Sequence, residues 1–342
     1  MTPMIPMKNI CILGAGAIGG FIGTRLAASG QDGVRVSAIA RGATLDALRT
    51  HGWRLQQGDA LLQAPVAAVS EHAADLGPQD LVILAVKGPA LSQVARQIGP
   101  LLGPETVVLP AMNGVPWWFI EGQPALGDAP LDSVDPGGTV REAIPLHRVL
   151  GCVVHASTAV PEPGLVQHRM GQGLIIGEPL GGHSARSAQV VALLAAAGFD
   201  VTHSANVRAD IWYKLWGNLT MNPISALTGA TIDRVLADPL TRQFCTDAMA
   251  EAARIGERIG CHIAQRPEER HLVTAKLGAF KTSMLQDVDA GRPIELDAIV
   301  TAVREIGQRV GLPTPQIDVL LGLTRLFGRV HGLYPEAIPP SP

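Results

Sequence analysis

The sequence predicts an α/β N-terminal domain built on a parallel sheet, joined to an all-α C-terminal domain. Three observations predict it. Over residues 7–205, short apolar runs alternate with helical segments, the pattern of βαβ units. A glycine-rich turn links the first apolar run to the first helical one. From about Asn206, apolar residues recur at helical spacing instead. The 342 residues fit two domains of roughly 150 residues each. With 47% hydrophobic and 17% charged residues, the chain has enough apolar material for a sizeable core and is too apolar to be disordered.

Taken in order, residues 8–13 form a short apolar run suited to a parallel strand buried on both faces. Ile18–Ser29 reads as a helix, ended by Gly30. Val34–Ala40 is a second strand, Asp80–Val86 another, and Thr106–Leu109 one more, running into Pro110-Ala-Met-Asn113-Gly114. Residues 121–148 are irregular and rich in Gly, Pro and Asp, and read as an excursion within the first domain. β-like segments resume at Leu150–Ser157 and Leu174–Gly177, and a helix at about 185–197 and a strand at Asp200–His203 finish that domain. In the second domain, residues 206–335, the helical spacing is carried by Phe244, Ala248, Ala252, Ile255 and Ile259, then by Ile299, Val303, Ile306 and Val310. Asp238-Pro239 is a helix start with proline at the first helical position. The Pro-rich tail from Pro335 is expected to fray.

Composition excludes several function classes. The 27 basic and 30 acidic side chains leave a net charge of −3, without the basic excess that grips nucleic acid or an anionic membrane. Cys11, Cys152, Cys245 and Cys261 are scattered, which indicates neither a zinc knuckle nor a disulfide scaffold. The ten histidines include no H-E-x-x-H, and no metal is assigned. Lys8 followed by the apolar run Ile10–Gly23 has the outline of a signal peptide, but glycines at 14, 16 and 19 fit a strand, turn and helix better. No stretch reaches the ~18 apolar residues of a membrane span, so the protein is expected to be cytoplasmic.

Gly14-Ala15-Gly16-Ala17-Ile18-Gly19 follows the first strand and opens the first helix. In that context G-x-G-x-x-G marks a Rossmann-type dinucleotide-binding domain. The first glycine makes the tight turn, the second admits a pyrophosphate, and the third lets helix and strand pack closely. The choice of cofactor is read at the end of the second strand. There the chain has Ala38-Ile39-Ala40-Arg41-Gly42 and no acid to hold a ribose 2′-hydroxyl; Asp32 lies at the wrong end of the strand. The planar fork of Arg41 suits a 2′-phosphate, and Lys87 reaches the same edge of the sheet. The expected cofactor is therefore NADPH/NADP+, a charge-assisted hydrogen bond contributing about 1.5–3 kcal/mol to the preference.

Lys214, Asn218 and Asn222 recur at four-residue spacing, so on a helix they share one face, although Pro223 biases Asn222 toward the helix end. Tyr213, Leu215, Trp216 and Leu219 surround the row with apolar bulk. A cation flanked by amides suits a carboxylate or carbonyl oxygen; the competing reading is an interface helix whose lysine snorkels to water. A second polar cluster runs from Lys281 through Ser283 to Asp287 and on to Glu295 and Asp297. Gly291-Arg-Pro reads as a break between two helices, able to bring Ser283 and Glu295 near each other. Glu295 is equally the kind of charge that a helix N-terminus favours.

Taken together, these residues resemble the ketopantoate reductase (2-dehydropantoate 2-reductase) family from about Lys8 to Pro315. The resemblance rests on the glycine turn, Asn113-Gly114, the Lys-x₃-Asn-x₃-Asn-Pro row from Lys214 to Pro223, and Ser-Met-Leu-Gln-Asp-x₃-Gly-Arg-x₂-Glu from Ser283 to Glu295. It implies a Rossmann domain and a helical domain with the active site in the cleft between them, and NADPH-dependent reduction of a 2-oxo acid, foremost 2-dehydropantoate to pantoate in pantothenate biosynthesis. Lys214 would be the general acid. Glu295 would orient substrate or the nicotinamide ribose, and Asn113 would sit between cofactor and substrate. Asn218, Asn222 and Ser283 would bind the substrate's hydroxyl and carboxylate, and Arg41 and Lys87 would hold the 2′-phosphate. The chain departs from the family where Val300-Thr301 replaces a frequent Asn-Gly pair, and where Trp117-Trp118-Phe119 and the long excursion follow Gly114. The tryptophans either line the pocket mouth or stabilise the fold beneath a long loop. The alternatives are a reductase of another 2-oxo acid or an imine, and a non-catalytic NADPH-binding regulator. The apolar helices permit a homodimer without requiring one.

Overall fold

The computed structural model describes residues 7–336; the rest of the Pro-rich tail lies outside them. The described chain divides into two units. One holds the residues up to Glu121 together with Gly137–Asp210, the other Gly122–Pro136 together with the residues from Ile211 onward.

The first unit contains two five-stranded sheets. The first is formed by β1 (Asn9–Leu13), β2 (Arg35–Ile39), β5 (Val69–Ser70), β6 (Gln79–Leu84) and β7 (Leu102–Pro110), in the order β5-β2-β1-β6-β7. Every pairing in it is parallel. Buried from both faces, its two central strands are apolar along their middles: Ile10, Cys11 and Ile12 of β1 and Leu81, Val82, Ile83 and Leu84 of β6 are inaccessible to solvent. The second sheet is mixed. It contains β3 (Trp53–Gln57), β4 (Ala60–Ala64), β8 (Gly151–Glu162), β9 (Leu165–Gly177) and β10 (Asp200–Ser204). Strand β9 pairs parallel with β3 and β10 and antiparallel with β8. Helix α1 (Ala17–Ala28) packs against strands of both sheets, and its glycines make this possible. A Cβ at Gly20 would lie 2.5 Å from Val166 of β9, and one at Gly23 2.6 Å from the Trp53 ring of β3. Helices α2 (Gly42–His51), α3 (Leu91–Gln97), α4 (Thr139–Ala143) and α5 (Ala185–Ala196) complete the unit.

The predicted parallel sheet is present. The second sheet departs from the prediction, because β3 and β4 have no sustained apolar run and the reading assigned nothing to residues 42–64. The one local signal was Gly58-Asp59, which forms the two-residue turn of the β3–β4 hairpin, Gly58 taking φ +57°. Trp117, Trp118 and Phe119 are almost wholly buried, and the Trp117 indole donates to the Ile144 carbonyl at 3.4 Å. They stabilise the fold.

The second unit is helical: α6 (Val207–Thr228, from Ile211 on), α7 (Ile232–Ala237), α8 (Pro239–Arg258), α9 (Pro267–Ala275), α10 (Ser283–Asp289), a π-turn at Asp297–Thr301 leading into α11 (Ala302–Arg309), and α12 (Pro315–Val330). Asp238 caps α8 as its sequence suggests, its carboxylate accepting from the Leu240 and Thr241 amides at 3.0 and 2.9 Å. The buried Glu251 of α8 does the same for α12, accepting from the Gln316 and Ile317 amides at 3.0 and 3.1 Å.

Two expectations are corrected here. Part of the irregular stretch, Gly122–Pro136, belongs to the second unit, because two side chains of α11 clamp its backbone. The Glu305 carboxylate accepts from the Asp132 and Ser133 amides, each at 3.0 Å, and the Arg309 guanidinium donates to the Ala129 carbonyl at 2.6 Å. Helix α6 also does not stop near Pro223 but continues to Thr228. The proline deprives the Leu219 carbonyl of its helical donor, yet residues 219–226 are all buried, and packing holds the helix through the gap.

Candidate active site

The registers of the parallel sheet decide where its functional residues emerge. Leu13 pairs with Ile39 and Leu84, and Leu84 with Pro110. The chain after each of these strands therefore leaves at one carboxyl edge, bringing Gly14, Arg41, Lys87 and Asn113 to the same side of the sheet. The strand order changes direction between β1 and β6, which makes this edge a ligand crevice of an open α/β sheet.

The three glycines of the turn serve different ends. Gly14 takes φ +98°, and a Cβ there would lie 2.8 Å from the Ala85 carbonyl oxygen. A Cβ at Gly19 would lie 2.0 Å from the Gly14 carbonyl oxygen and 2.9 Å from Ile12. Both are required by the fold. At Gly16 a Cβ would meet no described atom within 4 Å. Nothing in the protein demands that glycine, whereas a pyrophosphate approaching the backbone would. Gly16 is also the N-cap of α1, which has no side-chain cap and no acidic side chain in its first turn, so the amides there suit an anion. This cradle fits a dinucleotide.

A cavity of about 270 Å³ opens beside the turn, lined among others by Gly14, Ala15, Gly16, Arg41, Glu71 and Gln93. Arg41 stands at the start of α2 and reaches Gln93 Oε1 at 3.5 Å. Lys87 is half-buried with its Nζ shielded from solvent; it does not line the cavity, although its neighbours Val86 and Ala90 do. Glu71 is a residue that the sequence reading missed. That reading followed β2 alone in its search for an acid, but β5 lies parallel to β2 with Ile39 opposite Ser70, and the next residue is Glu71.

In the second unit, α6 presents Lys214, Asn218 and Asn222 as one row. Burial deepens along it: Lys214 and Asn218 are half-buried, and Asn222 is 4% exposed. The Asn222 Nδ2 is buried without a hydrogen-bond partner among the described residues. A buried amide donor left unmatched is costly, and a ligand oxygen is one group that could match it. The apolar flanks are fixed by hydrogen bonds as well as packing: the Trp212 and Trp216 indoles donate to the Ala252 and Met249 carbonyls of α8 at 3.2 and 2.7 Å. Tyr213 stands exposed at the surface. Ser283 is exposed at the first position of α10, next to the capping Thr282, whose hydroxyl accepts from the Leu285 amide at 3.2 Å.

Glu295 lies half-buried beyond the expected helix break, two residues before the π-turn. That turn is pinned through Asp297, whose Oδ1 accepts from the Tyr334 hydroxyl at 2.6 Å and the Thr301 hydroxyl at 3.1 Å. Thr301 thus gives Asp297 a hydroxyl donor. Burial and the adjacent carboxylate together raise the Tyr334 pKa.

All four cysteines are buried. Burial pushes the Cys11 and Cys245 thiols up to about 12. Among the described residues, no three His, Cys, Asp or Glu side chains converge as metal ligands, and no helix is long and apolar enough to cross a membrane.

Comparison with known proteins gives a consistent result. The family described as "Ketopantoate reductase PanE/ApbA" matches residues 10–181, and "Ketopantoate reductase PanE/ApbA C terminal" matches residues 206–327. A 2-dehydropantoate 2-reductase of Mesorhizobium japonicum is 42% identical over 327 residues, 95% of this chain and 99% of the relative. A crystal structure of a candidate ketopantoate reductase from Ralstonia solanacearum superposes with a TM-score of 0.91 at 54% identity, covering 96% of this chain and 100% of that one. A PanE/ApbA family ketopantoate reductase from Ralstonia eutropha gives a TM-score of 0.80 at 27% identity, over 94% and 99% of the two chains.

Proposed function

The chain belongs to the ketopantoate reductase family, and from that premise we propose that it reduces 2-dehydropantoate to pantoate with NADPH. The observation that carries the reading is the α6 row: one lysine and two amides on a single helix face, ending in a buried amide with no partner of its own.

Bound NADPH supplies the hydride. Negative charge then builds on the keto oxygen, and the Lys214 ammonium stabilises it and delivers the proton that completes the hydroxyl. Asn218, Asn222 and Ser283 are donors and acceptors for the substrate's hydroxyl and carboxylate, and Asn113 and Glu295 orient the reacting groups. The α1 amides and Gly16 receive the pyrophosphate, while Arg41 receives the 2′-phosphate; Lys87, expected beside it, has its Nζ shielded from solvent and outside the cavity that Arg41 lines. A biosynthetic reductase of this kind works in the cytoplasm.

The test is NADPH oxidation by the purified protein across a panel of 2-oxo acids and imines. The highest kcat/KM is expected with 2-dehydropantoate. A better rate with another 2-oxo acid or an imine would reassign the substrate. Tight NADPH binding with no oxidation by any compound would leave a non-catalytic binder.

A further inference from the structure

We propose that Glu71 sets the cofactor selectivity of this protein by opposing Arg41 at the place where a ribose 2′-phosphate would bind. The inference rests on the dinucleotide reading of the glycine turn. Glu71 and Arg41 line the same cavity as Gly14 and Gly16. Their positions follow from the sheet: β5 runs beside β2, the Ala40 amide donates to the Ser70 carbonyl at 3.0 Å, and the two chains leave the edge side by side.

The Glu71 carboxylate accepts from the Gly42 amide at 3.4 Å. That amide belongs to the first residue of α2, a ten-residue helix whose N-terminus receives no side-chain cap from Arg41. The carboxylate therefore already sits on a donor that a 2′-phosphate delivered to Arg41 could use. An anion arriving there must displace a like charge or lie beside one, and such juxtaposition weakens binding. A ribose 2′-hydroxyl makes the opposite demand, because it donates a hydrogen bond and a carboxylate accepts it. Arg41 favours the phosphorylated cofactor, Glu71 favours the unphosphorylated one, and the balance between the two side chains fixes the preference. Arg41 alone would give a more exclusive NADPH enzyme than this one.

The test measures equilibrium binding of two fragments, 2′,5′-ADP and 5′-AMP, to the full chain by calorimetry. Glu71 is exposed, so Glu71→Gln is expected to fold with an unchanged Tm. In this variant 2′,5′-ADP should bind about five- to tenfold more tightly, with 5′-AMP unchanged or weaker. Arg41→Ala should move 2′,5′-ADP the other way. A Glu71→Gln protein whose ratio of the two affinities equals that of the wild type would overturn the proposal. The dinucleotide reading is tested separately with wild-type protein. If it binds neither NADP+ nor NAD+, that reading fails and this inference with it; if it binds them and the ratio does not move, only the role of Glu71 fails.

Discussion

The phosphate end of the first unit and the polar row of α6 are built from opposite materials. At the glycine turn the working groups are backbone amides, and the side chains matter by their absence: Gly14 and Gly19 have no room for a Cβ, and Gly16 leaves space that the protein itself does not fill. On α6 the groups proposed to act are the ends of three side chains, held in an apolar frame by Trp212 and Trp216. One region is disabled by adding atoms, the other by removing them. The proposed cofactor site therefore needs a correct backbone, whereas the proposed catalytic row needs a rigid helix and nothing unusual in its backbone apart from Pro223.

The largest expected effect comes from deletion in the second region. Lys214→Ala should lower kcat by about 10²- to 10⁴-fold, the usual size of a general-acid contribution, while NADPH binding measured by fluorescence stays within about twofold. Near wild-type turnover would remove Lys214 from the chemistry, and lost NADPH binding would mean that the two regions are not separable in this way.

Addition in the first region comes next and splits in two. Gly19→Ala forces a carbon against the Gly14 carbonyl and should destabilise the first unit by about 1–3 kcal/mol or more, read as a fall in Tm. Gly16→Ala should leave Tm unchanged within about a degree and weaken NADPH at least tenfold, because only the ligand meets the new methyl. If both variants bind NADPH normally, the turn is only a structural one.

The same contrast explains what could be read in advance. The glycine turn was legible because a tight turn and a close backbone approach each demand glycine at fixed spacing, with β1 and α1 to either side. The α6 row was legible because helical periodicity aligns Lys214, Asn218 and Asn222 whatever surrounds them. The roles of Ser283 and Glu295 came from resemblance, not from periodicity, because the link between α10 and the π-turn has none. Glu71 was hidden for a related reason. Its place beside Arg41 is set by the pairing of a two-residue strand with β2, and so short a strand leaves almost no pattern in the sequence. The hold of Glu305 and Arg309 on residues 129–133 was equally invisible, since it joins an irregular loop to a helix about 170–180 positions later.

Removal of Arg41 tests the one part of the first region that does depend on a side chain. Arg41→Ala should raise KM for NADPH about 10- to 100-fold and KM for NADH much less, with kcat nearly unchanged. An equal rise for both cofactors would place Arg41 outside the 2′-phosphate site.

The smallest expected effect concerns pH and separates the two units by their histidines. His271 of α9 is 6% exposed, its Nε2 lies 3.0 Å from the Thr246 hydroxyl, and burial holds its pKa below the ordinary value near 6.5. Glu268 acts to raise that pKa and Arg242 to lower it further. The fold thus prefers the neutral ring. Below about pH 6.5 the unfolded chain takes up a proton that the folded chain refuses until lower pH, so the stabilisation is complete above that value and is lost as pH falls through the folded pKa. In the first unit His203 is shifted in the same direction by desolvation and by His183, but it is half-exposed, and Glu178 opposes the shift. His271→Gln should therefore flatten the fall in Tm between about pH 6.5 and 5 by one or two degrees, and His203→Gln by less. Equal flattening by both variants would show that exposure does not distinguish the two rings.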